Sequence, residues 1–414
     1  MREILFLVHR IPYPPDKGDK IRSWHFLSHL VEHCKVHLGC FVDDDDDLVE
    51  HAPVLRDLCG ESYFARIRPW VARARCLAGL CNGSPLTLHH YHHSGLHAWV
   101  QALLLERPVD CVFAFSSAMA QYAMGDSAVQ CRRVIDFVDV DSDKWRQFSE
   151  TKIWPASWLY RREARTLLAF EQRVAAEFDA ALFVSAAEAE LFRSLAPEQA
   201  HKVFHIGNGV DFGYFSPDAD YENPYAAGDK VLVFTGAMDY WPNVDAVTWF
   251  ADEILPRVQA VEPQARFCVV GARPTPGVCA LGRRSGVTVT DRVPDVRPYI
   301  AHATVVVAPL RIARGLQNKV LEGMSMAKPV VATPAACQGL EPEIRREILL
   351  APDAKGLADL VVATLCSQQR DARGQRARAR VLAHNEWGKS LSNLIPLLRG
   401  EAIASDETSP RTTS

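Results

Sequence analysis

A glycine, a lysine and a glutamate in the C-terminal half of the chain are spaced so that one helical face would carry all three. Gly315, Lys319 and Glu322 are separated by four and then three positions, and such residues are neighbours on a helix. The first amides of a helix have no partner within it, and the helix dipole adds positive charge there. With the Lys319 ammonium, a helix that begins at Gly315 could therefore bind a diphosphate.

The residues on either side of Gly315 extend this candidate site. Arg314 could form a two-pronged contact with a phosphate or a carboxylate, and we expect Leu316 to contact the same ligand. Two ordinary explanations stay open. Arg314 could be a plain surface arginine, and Lys319 with Glu322 could be a solvent-exposed ion pair on a helix.

Two further residues follow predicted strands in the same half. Gly236 ends a strand and opens the loop Ala237–Asn243, where a glycine would let the backbone approach a phosphate or sugar. Its alternative is a simple strand-to-helix turn. Arg292, in Asp291-Arg292-Val293, could stack on a nucleobase or reach a phosphate, or it could be ordinary surface.

The N-terminal half offers a glycine and a carboxylate after strands. Gly18 is expected on the loop after the first strand, either near a ligand or in a solvated turn. Asp139 follows the predicted strand Arg133–Val138 and could orient a reacting hydroxyl. Asp136 and Asp141 compete for that role, and helix capping is the simpler account of Asp141 and Ser142.

Histidines are concentrated in one short stretch, and they do not predict a metal site. They are His89, His90, His92, His93 and His97. Their spacing is too dense and local for ligands supported by carboxylate or cysteine. An acceptor-pocket histidine, a helix cap or a solvated loop residue is expected instead.

Short apolar runs alternate with helical patterns along almost the whole chain, which predicts parallel sheets covered on both faces. The predicted strands of the first half are Glu3–His9, Lys35–Val42, Cys111–Phe115, Arg133–Val138, Ala181–Ser185 and Lys202–Ile206. Those of the second half are Lys230–Thr235, Arg266–Val270, Val287–Thr290, Thr304–Ala308, Pro329–Thr333 and Ile348–Leu350. Between the latter we predict the helices Asn243–Val258, Val296–Ala301 and Gly315–Met326.

Two such series predict an α/β protein with two doubly wound, Rossmann-like domains facing each other across a cleft. We place the N-terminal domain at 1–212 and the second at 213–385. A C-terminal helix at 386–400 is expected to pack back on the first domain, and 401–414 to be a disordered tail. In such sheets ligands bind beyond the carboxyl ends of the strands, so the cleft is the expected active site.

Composition narrows the function classes. A formal net charge of −4 argues against a broad cationic surface for nucleic acid. The 11 cysteines lie in apolar runs without a C-x-x-C pair, which favours a reduced, cytoplasmic setting. No run reaches the ~20 apolar residues that a membrane-spanning helix needs, and the N-terminus does not resemble a signal peptide.

The segment Ala308–Met324, followed by Pro329-Val330-Val331-Ala332-Thr333, resembles the donor-binding core of family 4 glycosyltransferases, which have the two-domain GT-B fold. Other matching pieces occur in the same order: Val184-Ser185 with Glu188 downstream, Gly207-Asn208-Gly209-Val210-Asp211, Phe234-Thr235-Gly236 and Val270-Gly271-Ala272. The resemblance covers nearly the whole chain. It implies a retaining transferase that uses a nucleotide-diphosphate sugar, with UDP or GDP expected, and in which Glu322 accepts the ribose hydroxyls.

A narrower resemblance lies in Arg10–Arg22 and Asp136–Trp145. Both are similar to the sugar transferases associated with PEP-CTERM/exosortase exopolysaccharide clusters. This implies a glycan or lipid-linked glycan acceptor and a role in exopolysaccharide biosynthesis. Asp139 and Lys319 are then the expected catalytic residues, and neither a cofactor nor a metal is expected.

One departure from the family matters, and it leaves alternatives open. The family usually has a glutamate that contacts the donor sugar where this chain has Arg314, and arginine cannot accept a hydrogen bond from a sugar hydroxyl. Two alternative functions therefore stay open: a nucleotide-sugar epimerase and a non-catalytic sugar-binding subunit. A nicotinamide dehydrogenase is disfavoured because Phe215-Ser216-Pro217, not a helix, follows Gly207-Asn208-Gly209.

Two stretches mix tryptophan with arginine, namely Arg66–Leu80 and Lys152–Arg165. Such segments can lie on an anionic membrane leaflet. The alternative is a helix that faces the core with a basic outer face. A lipid-linked acceptor would make peripheral contact useful, so the inner face of the cytoplasmic membrane is a candidate location.

Overall fold

The computed structural model describes residues 3–15, 18–42, 46–80, 83–125, 130–150, 152–313 and 316–401. The chain divides into two compact units. The first comprises Met1–Ile206 with Leu391–Ser414, and the second is Gly207–Ser390. The first boundary therefore lies before the predicted one at residue 212, and the chain returns to the first unit at Leu391, after the predicted residue 386. Of the predicted disordered tail, only Glu401 is described.

The first unit is built on a parallel sheet of seven strands in the order β3-β2-β1-β4-β5-β6-β7. These strands are β1 (Glu3–Val8), β2 (Lys35–Val42), β3 (Ser62–Arg66), β4 (Cys111–Phe115), β5 (Arg132–Val138), β6 (Ala180–Phe183) and β7 (Val203–His205). β4 is buried at every position, as expected of a strand covered on both faces. β3 was not predicted, because Ser62-Tyr63-Phe64-Ala65-Arg66 has no continuous apolar run.

Helices cover both faces of this sheet. They are α1 (Gly18–Val31), α2 (Ala52–Leu58), α3 (Pro69–Gly79), α4 (Leu86–His90), α5 (Ser94–Glu106), α6 (Asp141–Glu150), α7 (Ala156–Glu177) and α8 (Ala186–Leu195). A short turn of π-helix, Asp47–His51, leads into α2. The expectation that Gly18 lies in a loop is wrong, because Gly18 is the first residue of α1.

The second unit contains a parallel sheet of six strands in the order β10-β9-β8-β11-β12-β13. Its strands are β8 (Lys230–Thr235), β9 (Ala265–Val270), β10 (Val287–Val289), β11 (Val305–Ala308), β12 (Val330–Ala332) and β13 (Leu349–Leu350). All six were predicted to within a few residues. Their apolar side chains form one continuous core with the covering helices.

The helices of the second unit alternate with its strands and then close the unit. They are α9 (Trp241–Trp249), α10 (Leu255–Val261), α11 (Pro276–Leu281), α12 (Arg297–Ala301), α13 (Asn318–Ser325), α14 (Pro342–Arg345), α15 (Ala354–Cys366), α16 (Arg370–His384) and α17 (Trp387–Ser390). A π-helical stretch, Phe250–Ile254, joins α9 to α10. The predicted helix Gly315–Met326 is therefore shorter than expected, because α13 begins at Asn318.

The last helix, α18 (Leu394–Arg399), belongs to the first unit. Its Leu397 carbonyl accepts a hydrogen bond from Arg132 Nε at 3.0 Å, which ties α18 to the start of β5. Within the described residues, no helix has the length and apolar character needed to cross a membrane.

Each sheet has a topological switch point, where the connections from two neighbouring strands run to opposite sides of the sheet. It lies between β1 and β4 in the first unit and between β8 and β11 in the second. A crevice forms beyond the carboxyl ends of the strands at such a point, and ligands of doubly wound folds bind there. Ligand-binding residues of each unit are therefore expected at these two edges.

Candidate functional site

Two glycines end neighbouring strands of the second unit and touch each other. Gly236 follows β8 with φ +153°, and Gly271 follows β9 with φ +158°. A Cβ atom on Gly271 would lie 1.7 Å from the carbonyl oxygen of Gly236. A side chain at Gly271 would therefore require a backbone shift, and one at Gly236 would press on the Asn243 side chain, 2.7 Å from its Cβ. The loops after β8 and β9 thus start in direct contact.

The ammonium group of Lys319 lies at this end of β8. Lys319 Nζ donates to Asn243 Oδ1 at 2.8 Å, and Asn243 Nδ2 donates to the Ala237 carbonyl at 2.9 Å. Nζ also lies 4.6 Å from the ring centroid of Phe234, a favourable cation–π position. A side chain from α13 is thus fixed beside Gly236 by the first turn of α9.

Lys319 and Glu322 are one turn apart on α13, and burial shifts both of their pKa values toward the neutral forms. Burial lowers the pKa of Lys319 to about 8, against the opposing effect of Glu322. Burial raises the pKa of Glu322 to about 7, against the opposing effect of Lys319. A solvated surface ion pair would show neither shift. The two groups are poised at a partly dehydrated site, as functional titratable groups often are.

The Glu322 carboxylate accepts no hydrogen bond from any residue that the structure describes. The negative charge of Glu322 acts on Tyr214. Burial is the largest cause of the raised pKa of Tyr214, and the charges of Asp295 and Glu322 raise it further. A carboxylate in this position has two oxygens available for the vicinal hydroxyls of a ribose.

α13 is positioned by close packing and by one amide pair. Gly323 lets α13 approach β11, because a Cβ there would lie 3.0 Å from the Val306 side chain. At the start of the helix, Asn318 Oδ1 accepts a hydrogen bond from Asn208 Nδ2 at 3.1 Å. The register of Lys319 and Glu322 against the sheet is therefore fixed at both ends of their turn.

The segment that leads from β11 toward α13 is anchored on two sides. The Arg311 guanidinium binds both carboxylate oxygens of Asp245 on α9 and lies 5.1 Å from the Trp249 ring. Thr333, after β12, donates its hydroxyl to the Leu310 carbonyl. Two of the predicted ligand-binding residues, Arg314 and Gly315, fall just after this anchor and lie outside the described residues.

The prediction of a helix that begins at Gly315 is wrong, because α13 begins at Asn318. The amide-rich end of the helix is therefore at Asn318, and Lys319 is the second residue of the helix. Leu316 precedes the helix, and its side chain packs on the core of the unit.

Arg292 lies at the same edge of the sheet but away from Lys319. Its exposed side chain follows β10, the outer strand, two strands from β8. The loop around it is held by Asp291 Oδ1, which accepts the amides of Arg292 at 2.7 Å and Arg273 at 3.1 Å. An ion pair of 3.0 Å between Arg273 and Asp239 continues this line toward the loop after β8.

In the first unit, Asp139 lies in a strained turn between β5 and α6. Val138 has φ +70°, which is costly for a β-branched residue. Asp139 Oδ2 lies 3.4 Å from Lys144 Nζ. Among the described residues its buried Oδ1 finds no hydrogen-bond partner. This oxygen is the one available to orient a substrate hydroxyl.

Two buried glutamates that the sequence reasoning did not assign support this turn. Glu188 Oε2 accepts the Val140 amide at 2.8 Å, and Glu171 accepts the amide and hydroxyl of Ser142. Burial, assisted by Asp139, raises the pKa of Glu188 to about 7. Burial, assisted by Asp141, raises that of Glu171 to about 8. Glu188 is visible in the sequence as part of a capping pattern with Ser185, but its long-range partner is not.

The two competitors of Asp139 are occupied. Asp136 is fully buried and accepts from Arg22 Nε at 2.8 Å, and burial raises its pKa. Asp141 binds Lys144 Nζ at 2.9 Å. The capping explanation for Asp141 and Ser142 is wrong, because α6 already begins at Asp141 and Ser142 binds Glu171. Of the histidines, His93 caps α5 by accepting the Leu96 amide.

A cavity of about 260 Å³ also lies in the second unit, but at the opposite edge of its sheet. Its lining includes Tyr225, Asp229, Arg266 and Thr288, which lie before or in the first half of the strands. Ligands of doubly wound sheets bind at the carboxyl ends. This cavity is therefore not part of the candidate site.

The fold of nearly the whole chain is that of GT-B glycosyltransferases, as comparison with solved structures demonstrates. Sucrose-phosphate synthase from Thermosynechococcus elongatus matches at a TM-score of 0.71 and 18% identity, covering 97% of this chain and 99% of that one. HepE from Anabaena, solved in complex with UDP and glucose, matches at 0.65 and 15% identity, covering 97% and 100%. WaaG, a glycosyltransferase involved in lipopolysaccharide biosynthesis, matches at 0.63 and 16%, covering 96% and 100%.

The match to a known protein family lies in the second unit. Residues 229–367 match the family described as glycosyl transferases group 1, and this segment contains Gly236, Asn243, Lys319 and Glu322. A search of curated proteins finds no match. The match therefore assigns residues 229–367 of the second unit to a group 1 glycosyl transferase domain.

Proposed function

We propose that the protein transfers a sugar from a nucleotide-diphosphate sugar to a glycan or lipid-linked glycan, with retention of anomeric configuration. The observation that carries the proposal is the pair Lys319 and Glu322, which are half-buried one turn apart on α13, with Lys319 beside Gly236 at the carboxyl end of β8. A cation for the diphosphate and a carboxylate for the ribose are the two groups that a nucleoside diphosphate requires.

The second unit would hold the donor. Lys319 would meet the diphosphate, with the amides at the start of α13 as further donors. Gly236 would let the loop after β8 approach the phosphates or sugar, and Glu322 would accept the ribose hydroxyls. Leu316, Arg314 and Gly315 remain proposed contributors through the segment before α13. Arg292, two strands from β8, is proposed for the nucleobase end.

The nucleotide is proposed to be UDP. HepE has been crystallised with UDP and with UDP-glucose, which makes UDP-sugars the first donors to test. Neither a cofactor nor a metal is part of the proposal, because Lys319 and the helix end would balance the charge of the leaving diphosphate.

In the proposed reaction, the acceptor hydroxyl oxygen bonds to the anomeric carbon as the bond from that carbon to the diphosphate breaks. Attack occurs on the face from which the diphosphate leaves, and the leaving phosphate takes the hydroxyl proton. The protein would act by positioning and by electrostatic support of the leaving group. In the first unit, Asp139 Oδ1 would orient the acceptor hydroxyl, and Gly18 would lie near it.

The resemblance of Arg10–Arg22 and Asp136–Trp145 to PEP-CTERM-associated transferases supports a role in exopolysaccharide biosynthesis. Action on a lipid-linked acceptor at the inner face of the cytoplasmic membrane is part of this proposal. Membrane contact would keep the enzyme beside such an acceptor.

The proposal is tested first by a thermal-shift panel of UDP, GDP, ADP and their sugars, since a bound ligand raises the melting temperature by mass action. The preferred donor is then incubated with and without an acceptor glycan, and released nucleotide and product anomer are followed by NMR. Acceptor-dependent release of UDP with a retained anomer supports the proposal. An epimerised nucleotide sugar without acceptor, or no nucleotide binding at all, would overturn it.

A further inference from the structure

All tryptophans with strongly exposed side chains in the described chain lie in two short stretches of the first unit. Trp70 is 71% exposed, Trp154 78% and Trp158 54%. Leu77 and Ile153 in the same stretches are 67% and 86% exposed. Single exposed apolar residues are ordinary, but a concentration of large ones marks an interaction surface.

On α3 the apolar residues point outward. Trp70, Ala74, Leu77 and Ala78 are exposed at helical spacing, and Arg73 is exposed between them. The buried residues of this helix are Ala72 and Gly79. The alternative of a core-facing helix with a basic outer face is therefore wrong for α3, whose largest apolar side chains face solvent.

The two stretches are fastened to each other. Arg162 Nη2 on α7 donates to the Gly79 carbonyl at the end of α3 at 2.8 Å. The neighbouring Glu163 accepts the amides of Leu86 at 2.8 Å and Thr87 at 2.9 Å at the start of α4. These buried contacts connect α3, α4 and the first turns of α7. The exposed tryptophans therefore sit on a joined framework.

The same stretches are strongly cationic. They contain Arg66, Arg68, Arg73, Arg75, Lys152, Arg161, Arg162 and Arg165. Their one acidic residue, Glu163, is buried together with Arg162, and Glu163 binds Thr87 of α4, so the charge at the surface comes from the other cations. This local excess of positive charge occurs in a chain whose formal net charge is −4. The charge complements an anionic surface.

We propose that Trp70, Leu77, Ile153, Trp154 and Trp158, with the exposed arginines around them, form a Trp–Arg surface that docks on an anionic lipid bilayer. Tryptophan favours the headgroup region, where its ring is buried and its N–H stays hydrated. Arginines beside it meet lipid phosphates. A protein partner is less well matched, because exposed apolar side chains and exposed cations occur together in both stretches.

The Trp–Arg surface assigns the proposed membrane contact to particular side chains. It rests on the proposed function only for the reason why the protein would bind a membrane. Bilayer binding needs neither donor nor acceptor. A failure to bind vesicles would therefore leave donor binding and sugar transfer untouched, and the two proposals can fail separately.

The test is co-sedimentation of the full-length protein with vesicles of phosphatidylcholine alone or mixed with phosphatidylglycerol. We expect binding to the mixed vesicles only, weakened by added salt. Replacing Arg68, Arg73 and Arg165 by glutamine should reduce partitioning on the order of a hundredfold, from roughly fivefold per cation near the surface. The matched control replaces three exposed arginines of the second unit, Arg283, Arg346 and Arg380, and should bind like the wild type.

The apolar part is tested with the triple variant Trp70→Ala, Trp154→Ala, Trp158→Ala. Its control replaces exposed aliphatic residues elsewhere, Val49, Leu105 and Val261, by alanine. Quenching of tryptophan fluorescence by brominated lipids should occur in the wild type and the control and be lost in the triple variant. Equal melting temperatures would exclude misfolding.

Three results would overturn the proposal. One is a wild-type protein that ignores anionic vesicles, and another is a triple variant that still binds them fully. The third is a wild-type dimer that the tryptophan substitutions convert to monomer without any vesicle binding, since the surface would then be a protein interface.

Discussion

Replacing Lys319 by methionine should weaken UDP binding about ten- to a hundredfold, because a charge-assisted hydrogen bond contributes about 1.5–3 kcal/mol. The upper part of that range applies if water cannot replace the ammonium group. Lys319 is half-buried between Asn243 and the Phe234 ring, and its pKa of about 8 reflects that dehydration. Methionine keeps the length and most of the packing while removing the charge.

The assay is isothermal titration with UDP and with uridine near neutral pH, where Lys319 is still mostly protonated. UDP should lose affinity and uridine should not, because only UDP presents phosphates. Lys230→Met is the matched control: Lys230 begins β8 at the other edge of the sheet and pairs with Glu262 at 2.6 Å. Unchanged UDP affinity in Lys319→Met, or an equal loss in the control, would show that the Lys319 ammonium does not contact the diphosphate.

Three further predictions concern the same framework. Gly271→Ala should lower stability by several kcal/mol, of the order seen for severe steric conflicts, because its Cβ would lie 1.7 Å from the Gly236 oxygen; a urea midpoint like that of the wild type would contradict this. Burial raises the Glu322 pKa from 4.5 to about 7. The neutral carboxyl group of Glu322 therefore stabilises the folded state fully below pH 4.5, and this contribution is lost as the pH rises through about 7. Glu322→Gln should therefore match the wild type near pH 4 and be more stable near pH 8 by at most about 3 kcal/mol; urea titrations showing no pH-dependent difference would oppose it. Glu188→Ala should lower kcat while leaving UDP affinity intact, since Glu188 holds the Val140 amide beside Asp139. Glu188→Gln, which keeps an acceptor oxygen, should restore most of the rate, and a rescue that fails would sink the positioning role.

The strands were predictable because each is a continuous apolar run with a clear boundary. β2, β4 and β8 begin and end at the predicted residues. β3 was missed because Ser62 and Arg66 interrupt its apolar pattern at an outer position of the sheet. Parallel strands buried on both faces leave a strong signal in sequence, and outer strands leave a weak one.

The pairing of residues across the second unit was only partly predictable. Lys319 and Glu322 could be placed on one helix from their spacing alone. The partner of Lys319, Asn243, lies on another helix and is recognised only once β8 and β11 are neighbours. The start of α13 was misplaced because Gly315 permits a helix start without requiring one.

The residues that position the turn around Asp139 were not predictable from the sequence, because they make long-range contacts. Glu188 lies on α8, and its contact with the Val140 amide depends on the neighbouring positions of β5 and β6. The Trp–Arg stretches were visible in sequence, but their orientation was not. The periodicity of α3 predicts which of its residues share a face. Which face is exposed depends on a long-range contact, the hydrogen bond from Arg162 to the Gly79 carbonyl.

A crystal structure of the protein with UDP would show whether a nucleoside diphosphate binds at the carboxyl end of β8. We expect the diphosphate near Lys319 Nζ and Gly236, with the ribose hydroxyls on the Glu322 carboxylate. Density for UDP in the cavity beside Tyr225 and Arg266, or at any place remote from Lys319, would contradict it.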